Sequence, residues 1–139
     1  MRIIVLCTAN TCRSPMAEAM LREKLGKKAE VISRGIMTTG AGASEESAIV
    51  MREMGYDISD HISRRITAEE IRDADLILTM TYNHKMILVN TMPEEKDKIF
   101  TLCEYANLEG DIPDPYGLGL DEYRKCAKKI KEAVEAIEI

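Results

Sequence analysis

No apolar run in this chain approaches the roughly eighteen residues that a membrane span needs, which argues against a transmembrane segment. The start, Met1-Arg2-Ile3-Ile4-Val5-Leu6-Cys7, lacks the longer apolar region and small-residue cleavage site of a secretory signal, so cytoplasmic residence is expected. There are only two histidines, His61 and His84, and they form no ligand cluster with the cysteines, so no metal is expected. Excess positive charge is missing too. A formal net charge of −5 argues against general nucleic-acid binding, though a local basic pocket can still take an anion. Internal repeats, linkers and low-complexity segments are likewise absent.

What is present is an ordinary globular composition, 45% hydrophobic and 31% charged over 139 residues, which predicts one domain over residues 1–139. The four cysteines, at 7, 12, 103 and 126, are expected to be free or redox-active thiols rather than a disulfide framework.

The first loop carries the chemistry. The apolar run Ile3–Leu6 predicts a strand buried on both faces, and Cys7-Thr8-Ala9-Asn10-Thr11-Cys12-Arg13-Ser14 follows it. Pro15 suits the first turn of a helix whose stripe is Met16, Met20, Leu21 and Leu25, closed by Gly26. A thiol therefore ends a strand where an arginine and a hydroxyl begin a helix. Unpaired N–H groups at a helix start, with the guanidinium fork, make an oxyanion site, and a thiolate set against it is placed for nucleophilic attack.

Further strands are predicted at Glu30–Ser33, Asp75–Met80 and Lys98–Leu102. Between them lie a helix capped by Ser44 with Ala48, Met51 and Met54 on one face, a short helix from a Thr67/Glu70 capping box, and a helix over 83–89. Leu120, Tyr123, Ala127, Ile130, Val134 and Ile137 mark an amphipathic closing helix. Such alternation implies a parallel sheet, with ligands bound beyond the carboxyl ends of the strands.

Expulsion of a basic leaving atom needs a proton donor. Asp114 is the candidate, in a proline-stiffened loop, Asp111-Ile112-Pro113-Asp114-Pro115-Tyr116, with Asp111 a weaker competitor.

Cys7 through Glu18, the Asp114-Pro115-Tyr116 element and the βα order together resemble the low-molecular-weight protein-tyrosine-phosphatase family over nearly the whole chain. The resemblance implies an α/β three-layer fold, a four-stranded parallel sheet of order 2-1-3-4 flanked by helices. It also implies a cysteinyl-phosphate on Cys7 and catalytic roles for Arg13 and Asp114. Thr8, Ala9, Asn10, Thr11, Cys12, Ser14 and Tyr116 would form the binding loop and pocket wall, holding inorganic phosphate or a related oxyanion. Ser14 would bond the thiolate and Asn10 would brace the loop. Phosphorylated proteins are the implied partners, and no cofactor is implied. The chain departs from the family in Ala9, where glycine is usual, and in Met80-Thr81, where many tyrosine-specific members have Met-Asp.

Thr11 bears on the substrate. Tyrosine-specific members usually carry an apolar residue there, whereas the bacterial protein-arginine-phosphatase branch is similar to this chain in its threonine and in segments around 74–81 and 97–102. A threonine hydroxyl can accept an N–H from a guanidino group, which a phenyl ring does not offer. Phosphoarginine is therefore the expected substrate, with phosphotyrosine the alternative. A thiol-coupled arsenate reductase and a non-catalytic phospho-residue binding module are the readings from other classes. Cys7 and Cys12, five residues apart, are close enough for a reversible disulfide.

Overall fold

The computed structural model describes all 139 residues. Its strands are β1 (Arg2–Cys7), β2 (Glu30–Gly35), β3 (Leu76–Thr79) and β4 (Ile99–Thr101), paired in parallel in the order β2-β1-β3-β4. Ile4 sits between Ile32 on one side and Ile77 on the other, and Ile77 pairs in turn with Ile99.

The helices are α1 (Arg13–Leu25), α2 (Glu45–Glu53), α3 (Ala68–Asp73), α4 (Tyr82–Thr91), α5 (Leu102–Tyr105) and α6 (Leu120–Ala136). Period-two alternation along β1 explains the layering. Ile3, Val5 and Cys7 join Met16, Met20, Tyr123 and Ile130 in one core, under α1 and α6. Ile4 and Leu6 point the other way, into a smaller core with Ile71, Leu88 and Met92 of α3, α4 and the turn beyond. A strand packed on both faces has no polar side, so β1 reads as an unbroken apolar run.

Local chemistry sets most boundaries. Ser44 Oγ accepts the Ser47 N–H to start α2, and Thr67 and Glu70 form a reciprocal capping box on α3. The buried side of α2 is Ser47, Val50 and Met51, and Met54 turns partly to solvent, because the helix ends at Glu53. The fourth strand is shorter than its apolar run. Thr101 and Glu104 form a second capping box, and Leu102 opens α5 instead of extending the strand. Residues 93–98, unassigned in the sequence, form a 3-10 turn led by Pro93.

From β1 the chain pairs first with β2 on one side and later with β3 on the other. The carboxyl end of β1, where Cys7 lies, is thus a switch point of the sheet.

Candidate active site

Cys7 closes β1 with its side chain 3% exposed, and α1 begins six residues later at Arg13. The carbonyls of the connecting loop are tied to the scaffold. Cys7 O accepts from Ile36 N, Thr8 O from Met37 N and Thr11 O from Ser44 N, at 3.1, 3.0 and 2.8 Å. The Asn10 carbonyl accepts from Nε2 of His61 at 2.6 Å. No backbone N–H of residues 8–12 donates to a backbone acceptor. Carbonyls turned out and amides left over describe an anion nest at a helix start.

Asn10 is the left-handed residue of the loop, at φ +60°, a conformation that asparagine tolerates better than most side chains. Ala9, a departure from the glycine of the family it resembles, is not in that region, so its backbone carries no positive-φ strain. The Asn10 amide gives Nδ2–H to Ser14 Oγ at 2.8 Å, and its Oδ1 accepts the Arg64 N–H at 3.0 Å. Ser14 Oγ lies 2.9 Å from Cys7 Sγ. A hydroxyl that accepts from Asn10 keeps its own hydrogen, and it can donate that to a thiolate.

Asn10 and Ser14, expected in the binding loop, have side chains that are fully buried. They reach a ligand only through Cys7 and the backbone. Close approach also fixes Gly35 at the end of β2. A Cβ there would meet Thr8 O at 2.9 Å, Asn10 Cβ at 3.0 Å and Thr38 Cγ2 at 2.6 Å.

Arg13 is 5% exposed and joins the two halves of the site. One guanidinium nitrogen donates to Ile112 O at 3.0 Å, and another stands 3.9 Å from Asp114 Oδ2. Asp114 itself is more than half exposed, and its Oδ1 accepts the Tyr116 N–H at 3.1 Å. Asp111 points elsewhere, accepting the Tyr82 N–H at the start of α4.

A cavity of about 390 Å³ collects Cys7, Thr8, Ala9, Thr11, Cys12, Arg13, Asp114 and Tyr116. Residues 107 positions apart in sequence therefore share one wall. Thr39 lines the same cavity, a contact with no signal in its Gly- and Thr-rich stretch. A larger hollow of about 570 Å³ is lined by Glu18, Asp57, Asp60 and His61 among others, and no cysteine, serine or threonine lines it. Arg64 bonds the loop only through its backbone, and Arg65 lines a separate groove by α3 and α4.

Both histidines, which form no ligand cluster with the cysteines, touch the loop: His61 as above, and His84, whose Nε2 is 2.9 Å from Thr8 Oγ1. Their partners lie 51 and 76 residues away, so no local pattern could have shown them. Burial, helped by the nearby Arg13 charge, lowers the His84 pKa to about 4.

Cys103 and Cys126 do not line the cavity that Cys7 lines. Burial pushes Cys126 up to about 12 and raises Cys103 as well, so neither is set up as a reactive thiolate. Cys12 Sγ lies 3.4 Å from the Tyr123 hydroxyl and 3.5 Å from Ser44 Oγ. No three His, Cys, Asp or Glu side chains group as a metal site, and no helix is long and apolar enough to cross a membrane.

The family model for low molecular weight phosphotyrosine protein phosphatase matches residues 2–138. A protein-arginine-phosphatase of Bacillus subtilis is 36% identical, over 99% of this chain and 94% of its own length. The crystal structure of a low molecular weight protein tyrosine phosphatase from T. tengcongensis superposes with a TM-score of 0.91 at 43% identity, covering 98% of this chain and 96% of that one. A structure of the YwlE arginine phosphatase, in which serine replaces a cysteine and the active-site serine is phosphorylated, gives 0.91 at 33% identity, covering 98% and 92%.

Proposed function

The chain belongs to the low molecular weight phosphotyrosine protein phosphatase family, and on that premise we propose that it hydrolyses phosphoarginine in proteins through a cysteinyl-phosphate. In the first step Cys7 Sγ attacks phosphorus while the P–N bond to the guanidino group breaks. Arg13 and the loop amides hold the equatorial oxygens, and Asp114 gives its proton to the departing nitrogen. In the second step the Asp114 carboxylate takes a proton from water. That water attacks the phosphorus of the S–P bond, which releases inorganic phosphate and returns Cys7 as thiolate. Ser14 steadies the sulfur in both forms, and Asn10 holds Ser14.

The observation that carries the phosphatase chemistry is the placement of Arg13, within 3.9 Å of Asp114 on the cavity that Cys7 opens into. Support for arginine comes from Thr11, which lines that cavity, and from the kinship to a protein-arginine-phosphatase. The Thr11 hydroxyl accepts a guanidino N–H, whereas a phenyl ring leaves it desolvated and unpaired at a cost of about 1–3 kcal/mol. Tyr116, three-quarters exposed at the rim, stacks on the guanidinium plane. Phosphotyrosine is the second reading, favoured by kinship to the tyrosine phosphatases.

Cys12 lines the same cavity as Cys7, so peroxide oxidation of Cys7 to a sulfenic acid, then condensation with the Cys12 thiol and loss of water, gives a protective disulfide. The deciding experiment compares kcat/KM on phosphoarginine and phosphotyrosine side by side, with Cys7→Ser as blank. A higher value for phosphoarginine supports the proposal. A higher value for phosphotyrosine moves the chain to the second reading, and turnover surviving in Cys7→Ser refutes the covalent mechanism.

A further inference from the structure

Thr8 follows the nucleophile and opens on the cavity, yet its hydroxyl is already engaged by His84 Nε2 at 2.9 Å. His84 comes from the first turn of α4 and is 5% exposed, and its other ring nitrogen, Nδ1, is buried without a partner. The fold thus keeps a polar ring in its interior for one bond to the loop. Burial and the Arg13 guanidinium keep that ring neutral at pH 7, with Asp111 and Asp114 opposing.

A neutral imidazole has one N–H and one lone pair. If Nε2 accepted from Thr8, an N–H on Nδ1 would be stranded in the interior. With Nε2 donating, only a lone pair is left over, and stranded acceptors are the less rare of the two in folded proteins. The N–H therefore belongs on Nε2. A hydroxyl that accepts from it keeps its own hydrogen for another partner.

The geometry points to His84 as a positioning residue, whose Nε2–H bond to Thr8 Oγ1 turns the threonine hydroxyl hydrogen toward an oxygen of an oxyanion bound at Cys7. That oxyanion is a phosphoryl group if the phosphatase reading holds. Without the imidazole the hydroxyl rotor is free, and the donor has to be oriented afresh each time an anion binds.

A double-mutant cycle on the full chain tests this, with two readouts: kcat/KM for p-nitrophenyl phosphate, and the Kd of tungstate, a tetrahedral oxyanion whose binding needs no turnover. His84→Phe and Thr8→Val should each weaken both by about threefold to tenfold, the worth of one neutral hydrogen bond. The double variant should be no worse than the poorer single one. His84→Gln, whose amide nitrogen reaches the Nε2 position, should recover to within about twofold, and His84→Asn, which reaches only the Nδ1 position, should not. Multiplying effects in the double variant, equal behaviour of the Gln and Asn variants, or an unaffected His84→Phe would each overturn the assignment. Should His84→Phe not fold, the Gln and Asn variants crossed with Thr8→Val decide it. A wild-type chain that binds tungstate but cleaves no phosphoester would defeat the phosphatase reading, while the tungstate cycle still decides the role of His84.

Discussion

The segments 7–14 and 111–116 both contribute to the lining of one cavity, and they are held in different ways. The first segment has its carbonyls tied outward, its asparagine bonded on both ends of the amide, and two histidines behind it. The second is anchored by backbone: Ile112 N–H on the Met80 carbonyl, Ile112 O on Arg13, and Pro113 O accepting the Cys126 S–H at 3.6 Å. Asp114 stands clear of these anchors with its carboxylate largely in solvent. A group that must hold a pentavalent phosphorus benefits from fixed dipoles, because none of them has to reorganise during the reaction. A group that gives a proton to the leaving atom and later takes one from water, the role proposed for Asp114, is served by contact with solvent.

The sharpest way to break that division is Asp114→Asn. The amide keeps the turn to Tyr116 and loses the proton, so kcat should fall by about 10²–10⁴ with little change in tungstate affinity. Steady-state kinetics with calorimetry checks it, and equal losses in both would mean that Asp114 helps build the anion site.

Acid titration probes the walled side next. His84 ionises near 4 in the fold and near 6.5 when unfolded, so it contributes no pH dependence above about 6.5. As pH falls from there toward 4 the unfolded chain takes up the proton and the folded one does not. Stability drops by an amount on the order of 3 kcal/mol across that window. Urea unfolding at several pH values should show a shallower decline in His84→Gln, and identical slopes would remove His84 from the account.

Gly35→Ala comes third, at about 1–3 kcal/mol for an overpacked contact, with a matching loss of kcat/KM because the new Cβ presses on Thr8 and Asn10. Gly117→Ala on the acid side meets open space, so it costs only the strain of its positive φ and should spare activity. Thermal denaturation and kinetics on the pair measure the contrast. Thr11→Ile is the mildest. It should raise the ratio of phosphotyrosine to phosphoarginine turnover about tenfold with stability nearly unchanged, and a constant or reversed ratio would return Thr11 to a packing role.

Much of the fold was legible because it rests on local signals. The apolar run of β1, the Ser44 cap, the Thr67/Glu70 box and the stripe of α6 are read within a turn or two of chain. The Thr101/Glu104 box is an equal local signal, but it overlaps the apolar run of β4 and was absorbed into it. In the candidate site, Cys7, Arg13 and Asp114, which line one cavity, could be singled out because each sits in a short patterned segment. His61, His84, Gly35 and Thr39 were not. Their roles consist of contacts with the loop made across 25 to 76 residues of chain, and nothing beside them in the sequence marks those contacts.

The Arg13 bond to Ile112 spans 99 residues, and the Cys12–Tyr123 contact spans 111. Contacts this distant in sequence are costly to close and tend to form late in folding. A growing chain therefore contains Cys7 long before it contains Asp114 or the helix that backs the loop. On the mechanism proposed above, a chain cut short of residue 112 keeps the thiol but lacks both the Ile112 carbonyl that holds Arg13 and the carboxylate of Asp114, so full turnover would report completion of the fold.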